Sequence, residues 1–152
     1  MTGNSDGTIM VIKPKKGQKI ECNGSKQIHK IIWGLIKAMQ PFDKDKEHFF
    51  VIGINRAFCL RYLDHVSEGS LHGTIAEPRE VFRNAIHLGA SSIILAHNHP
   101  SGNLTPSRND ISITRELVQA GKILKIEVVD HIIVSHEGYY SFSDEGKLNK
   151  DE

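Results

Sequence analysis

The stretch Ser92-Ile93-Ile94-Leu95-Ala96-His97-Asn98-His99-Pro100, with Ser107-Arg108-Asn109-Asp110 after it, decides how this chain reads. Ser92 to Ala96 is a short aliphatic and β-branched run, the composition of a buried strand. Two histidines two apart at its end project to the same side of an extended backbone. Asp110, thirteen residues after His97, can return from the start of a following helix to complete a three-ligand cluster. Two imidazoles and a carboxylate suit zinc, and three protein ligands leave the fourth position for water. A structural zinc is normally closed by a fourth ligand, usually cysteine.

Local composition supports a second reading. Ser107-x-x-Asp110 is also a capping box, with Ser107 as N-cap. Ile111, Thr114, Leu117 and Val118 continue at helical spacing, so a helix starts there whatever else Asp110 does. The chain carries nine histidines, enough for one close pair to arise by chance. By spacing alone, metal binding and helix capping both stay open.

His97-x-His99-Pro100, six further residues, then Ser107-x-x-Asp110 resembles the signature of the JAMM metalloproteases, also called MPN or JAB domains. The wider text is similar to the RadC-type bacterial branch. The segments that carry this are Pro78-Arg79-Glu80-Val81-Phe82-Arg83, Ile93 to Gly102, Pro106-Ser107 and Asp130-His131-Ile132-Ile133-Val134. The match runs from about Glu47 to Gly146. It implies an α/β domain, a mixed sheet flanked by helices in the cytidine-deaminase-like layout. It further implies one zinc per chain on His97, His99 and Asp110, with hydrolysis of an amide, peptide or isopeptide bond in a protein or peptide. In JAMM enzymes the general base is a glutamate on an early strand, and Glu47 matches that position. The counterpart of Ser107 donates to the oxyanion. Two departures stand out. Residues 1–46 show no Gly-rich hairpin of the helix-hairpin-helix module common in RadC proteins, and Glu77 replaces a frequent histidine before Pro78.

A zinc deaminase needs His-x-Glu and Pro-Cys-x-x-Cys elements, and this chain has neither. The rival from another class is a DNA-repair-associated accessory protein whose metal site is structural or vestigial. A formal net charge of +1 argues against a dedicated nucleic-acid binder, so weak or absent DNA binding is expected in isolation. The charge is nonetheless uneven. Residues 1–46 hold nine lysines against four acids, and Lys13, Lys15, Lys16 and Lys19 read either as a contact to an acidic partner or as a solvated, partly disordered arm, with the second preferred. No apolar run approaches the ~20 residues of a membrane span. With no signal-peptide pattern, a cytoplasmic protein is expected. Cys22 and Cys59 make no disulfide framework. Oligomeric state is not legible.

Along the chain, residues 1–24 read as a loose lysine-rich arm, 25–146 as the domain, and 147–152 as a disordered tail. A short strand is expected over Thr8 to Ile12. Ser25 is expected to cap a helix with Ile28, Ile31, Ile32, Leu35, Ile36 and Met39 on one face, closed by Pro41. Glu47 to Ile54 reads as a buried strand and Ala57 to Val66 as its antiparallel partner. Pro78 starts a helix with Val81, Phe82, Ala85 and Ile86 inward. Two strands follow, over Leu124 to Val134 and Tyr139 to Phe142. Glu68, Glu77 and Glu80 compete with Glu47 as base, and Glu47 is otherwise only the charged residue that opens a strand. Asp130-His131 reads either as support for a metal-bound histidine or as a satisfied polar pair at a sheet edge, with the second preferred. The remaining histidines read as ordinary polar positions, except His72, in a loop expected to border the cleft.

Overall fold

The computed structural model describes residues 11–68 and 76–148. Six strands among them form one mixed sheet in the order β1-β3-β2-β4-β5-β6. These are β1 (Val11–Ile12), β2 (His48–Ile54), β3 (Leu60–Glu68), β4 (Ser92–Asn98), β5 (Glu127–Ser135) and β6 (Gly138–Ser141). All pairs are antiparallel except β4 with β5, which are parallel and joined through a helix. A parallel pair needs such a crossover. It places His97 and Ile133 at the same level, with His131 two residues below.

Helices cover both faces. Helix α1 (Ser25–Ala38) buries Ile28, Ile32 and Ile36 against Phe50, Ile52, Ile94 and Ile132 on one side. Each such isoleucine contributes about 1.5–3 kcal/mol when removed from water. On the other side lie α3 (Pro78–His87) and α4 (Arg108–Leu124). Their Val81, Phe82, Leu117 and Val118 pack on Phe49, Val51, Leu95 and Val128. β2 is buried along its whole length because both its faces are covered. Gly53 is required there: a Cβ would lie 2.0 Å from the ring of Tyr62, its partner on β3.

Several local expectations are corrected. Residues 11–24 are not a loose arm: Ile12 and Cys22 are buried, Val11–Ile12 pairs with β3, and Glu21 bridges to Cys59. The portion of the expected strand before Val11 lies outside the described residues. Ser25 is the first residue of α1 rather than its cap. Gly24 holds the cap position, and the Ser25 hydroxyl donates to Asp144 at 2.6 Å. Pro41 does not merely close α1 but opens a short helix, α2 (Pro41–Lys44). Ile86 faces solvent, 61% exposed. At the C-terminal end, Lys147 N–H donates to the Phe142 carbonyl and Leu148 packs on the core, so residues 147 and 148 belong to the fold. His72 and residues 149–152 lie outside the described residues.

Candidate metal centre

The β4 strand delivers both histidines at its end. His97 is paired with Phe49 across the antiparallel ladder to β2, while the His99 N–H continues the parallel pairing by donating to Val134. Beyond His99 the backbone turns sharply through Gly102, whose φ is 92° and whose N–H donates to the His99 carbonyl. A side chain there would meet the ring of His136 at 2.5 Å. That turn carries the Asn103 carbonyl back to within 2.6 Å of His99 Nδ1.

Helix α4 supplies the third group. The capping box is real: Ser107 Oγ accepts from Asp110 N–H at 3.0 Å, and Asp110 Oδ2 accepts from Ser107 N–H at 2.8 Å. The same carboxylate faces both histidines, with Oδ1 3.2 Å from His97 Nε2 and Oδ2 3.1 Å from His99 Nε2. Capping therefore holds the carboxylate facing both histidines instead of turning it away. His97, His99 and Asp110 each present one ligand atom, all within 4.8 Å of one another, in reach of a single ion. Burial alone would raise the Asp110 pKa, but hydrogen bonds from His97 and His99 hold it well below the usual carboxylate range.

The hydrogen bonds behind the cluster set which nitrogen of His97 faces it. Thr114 Oγ1 donates to the Asp110 carbonyl at 2.6 Å, the common back-bond of a helical threonine. Having spent its proton, the hydroxyl accepts from His131 Nδ1. His131 Nε2 then accepts from His97 Nδ1 at 2.8 Å, which leaves His97 Nε2 as the nitrogen that faces the cluster. His99 reaches the same state by donating Nδ1–H to Asn103. Once both rings give up the Nε2 proton, two imidazole lone pairs and one ionised carboxylate make a donor set that fits a divalent metal ion. His131 is fully buried, which pushes its pKa well below the ordinary value, as does the neighbouring His97. Its neutral form fits the relay.

The Asp130-His131 pair thus divides, and the sheet-edge reading preferred for it is corrected. His131 backs His97 and stacks on Phe142 with ring centroids 5.0 Å apart. Asp130 binds the Ser141 hydroxyl and the Ser143 N–H, a structural role. His48, read as an ordinary polar position, is buried, with one nitrogen 2.6 Å from the Asp43 carbonyl and the other 3.0 Å from His65.

Glu47 stands one residue before β2. Extending the register that pairs Phe49 with His97 puts Glu47 across from His99. Its charge is one of the influences that raise the His99 pKa, after burial, which opposes protonation, and the Asp110 and Asn103 hydrogen bonds, which favour it. Asn98, between the two histidines, clamps that corner. Its Oδ1 accepts from His48 N–H at 2.6 Å and its Nδ2 donates to the Lys46 carbonyl at 2.9 Å, gripping the backbone on both sides of Glu47. The sequence reading missed Asn98, whose position as the middle residue of His-x-His on the opposite strand face was the available signal. Of the rival glutamates, Glu80 pairs with Arg83 at 2.8 Å on the α3 surface and Glu77 is the α3 N-cap residue.

A family model described as a RadC-like JAB domain matches residues 24–147. A UPF0758 protein of Symbiobacterium thermophilum is 51% identical over 102 residues, covering 67% of this chain and 44% of the relative. One from Syntrophomonas wolfei is 48% identical over 104 residues, covering 68% and 44%. One from Chlorobium phaeovibrioides is 34% identical over 135 residues, covering 89% and 58%. The chain thus spans about half the length of the curated relatives it matches. None of the described helices is long and apolar enough to cross a membrane. The strand that delivers His97 and His99, the capped helix that returns Asp110 and the match over residues 24–147 agree: the chain belongs to the RadC-like JAB domain family.

Proposed function

We propose that this domain is a zinc-dependent hydrolase of the JAMM type, cleaving an amide, peptide or isopeptide bond in a protein or peptide substrate. The observation that carries the reading is the clustering of His97, His99 and Asp110, with Glu47 opposite His99 in the extended β2–β4 register. A zinc ion held by these three groups would supply Lewis acidity, polarising a carbonyl and easing the loss of a proton from water.

The chain's own residues do the rest. Glu47, across from His99, accepts the proton of the attacking water and returns it to the leaving amine. Ser107 Oγ already accepts the Asp110 N–H, so its own hydroxyl proton is available to the oxyanion that develops on the substrate carbonyl. Asp110 serves as ligand and as cap through the geometry described above, and the buried His131 keeps His97 in the ligating tautomer.

The test pairs metal content with peptide hydrolysis, using a peptide library and a zinc-dependence control. Glu47→Gln should keep its zinc and lose ~10²–10⁴-fold in rate, the usual worth of general acid–base catalysis. His97→Ala should lose metal and activity together. Wild-type protein that takes up no zinc when supplied in excess would sink the proposal. Loss of zinc by Glu47→Gln would make Glu47 a ligand. Full activity in that variant would move the base elsewhere, with Glu77 next.

A further inference from the structure

The other end of the sheet carries a concave site that the metal chemistry does not use. β2 runs from His48, beside the metal centre, to Ile54, and its seven residues separate the two ends by roughly 20 Å. Beyond Ile54 lies a cleft of about 500 Å³, within the usual range for small-ligand sites. Among the described residues three cations line it, Lys13, Lys19 and Arg61, and no carboxylate does.

The lysine segment is held in place. Val11 and Ile12 pair with β3 on one side, and on the other the Ile20 carbonyl accepts from Leu60 N–H at 2.8 Å while Glu21 bridges to Cys59. Between them a turn closes with Gln18 N–H donating to the Lys15 carbonyl at 2.9 Å. Arg61 spends one N–H on the Leu88 carbonyl at 3.0 Å, which sets its guanidinium at the cleft wall and leaves its other donors. Asn55 Oδ1 accepts from the Ala57 and Cys59 N–H groups, leaving the amide nitrogen of Asn55 as the donor end. Leu60 and Leu88 give the same cleft an apolar side.

Like charges gathered in one concavity, with no counter-charge among the described residues of its lining, repel one another until an anion arrives. Arg and Lys donors suit phosphate oxygens, and the apolar wall suits a ring attached to the phosphate. We propose that this cleft binds a nucleotide by its terminal phosphate oxygens and its base, independently of the metal centre. Its charge density concerns the small set of residues named, not the whole chain, whose net charge is near balance.

The test is a titration of the full chain with ADP, followed by amide chemical shifts, with adenosine, inorganic phosphate and a short single-stranded oligonucleotide, with and without a 5′-phosphate, as comparison arms. ADP should bind saturably and shift residues 13–19, 55–61 and 88. Inorganic phosphate should bind more weakly at the same place, and adenosine should not bind. Lys13→Ala and Lys19→Ala, at exposed positions that leave folding intact, should each lower ADP affinity on the order of tenfold, as should Arg61→Gln. A free nucleotide is the source if ADP outcompetes the 5′-phosphorylated oligonucleotide. The opposite order, with the phosphorylated oligonucleotide still far ahead of the unphosphorylated one, would assign the same phosphate pocket to nucleic-acid ends. The proposal is overturned by shifts confined to residues 97–110, by unchanged affinity in both lysine variants, or by equal competition from the unphosphorylated oligonucleotide. It is likewise overturned if no saturable shift appears at millimolar ADP.

Discussion

His97 Nδ1 lies 2.8 Å from His131 Nε2, and this bond, rather than anything at the cluster's open side, decides which nitrogen of His97 faces Asp110. The relay behind it ends on a helix carbonyl through Thr114. Thr114→Val keeps shape and removes the hydroxyl that fixes the His131 tautomer. Zinc affinity should fall about 10–100-fold, the usual cost of losing support behind a ligating histidine, while circular dichroism stays that of the wild type. Competition with a chelating dye measures it. Full affinity in Thr114→Val would show that His97 finds its tautomer unaided.

Asn98 offers a separable test, because it grips the backbone around Glu47 and not the ligands. Asn98→Ala leaves the His48 N–H and the Lys46 carbonyl without their side-chain partner, a cost of about 1–3 kcal/mol in stability. Zinc content should hold, and peptide hydrolysis should fall toward the level of Glu47→Gln. Asn98→Asp retains the acceptor for His48 and should recover part of the loss. If Asn98→Ala loses stability alone and keeps its rate, the clamp serves the fold and not the base.

What could be read in advance follows from how local each feature is. The strand from Ser92 and the capped helix at Ser107 are written in consecutive residues, so both were legible with their histidines and aspartate. The role of His131 depends on a parallel pairing between strands joined by a helix, and no spacing rule reveals that His131 lies beside His97. Ile86 has the right period for the inner face of α3, yet that helix is covered over a narrower arc than its apolar stripe, and Ile86 is left outside. The lysine-rich stretch looked loose because its composition is that of a solvated arm. Its anchors are two buried side chains, Ile12 and Cys22, and backbone bonds to β3, which composition does not display.

The pH response of the centre should reverse when metal is added. Without metal, the folded pKa of His99 is raised and that of Asp110 depressed, because each stabilises the charged form of the other. The His99 contribution to stability is fully present below its unfolded value near 6.5 and is lost as pH rises through the higher folded pKa. The Asp110 contribution is present above about 3.8 and is lost as pH falls through the depressed value. The pair therefore helps the metal-free fold most between those limits. Zinc needs His99 neutral, so zinc-dependent stabilisation should grow as pH rises through the same raised pKa. Thermal melts of wild type and His99→Gln at pH 5.5 and 8, with and without zinc, check both signs. A metal-free difference between the two proteins that is larger at pH 8 would contradict the assignment.

Asp64 gives a prediction away from both sites. It is 1% exposed on β3, its Oδ2 accepts from Asn84 at 2.7 Å, and its Oδ1 has no hydrogen-bond partner among the described residues. Burial raises its pKa, and the Asn84 hydrogen bond and the Arg83 charge only partly oppose that. A carboxyl whose folded pKa lies above its unfolded value weakens the fold as pH rises through that interval, because the folded state then holds a poorly solvated charge. Asp64→Asn removes the charge and keeps an acceptor for Asn84. The substitution should raise the melting temperature at pH 7–8, by about 2–4 °C for each kcal/mol gained in a domain of this size. The advantage should shrink as the pH falls through the raised Asp64 pKa, where the wild-type carboxyl takes up its own proton. Melting curves of the two proteins across pH 4–8 supply the comparison. An Asp64→Asn variant less stable than wild type at pH 7 would mean that the ionised carboxylate is held by an interaction stronger than its burial cost.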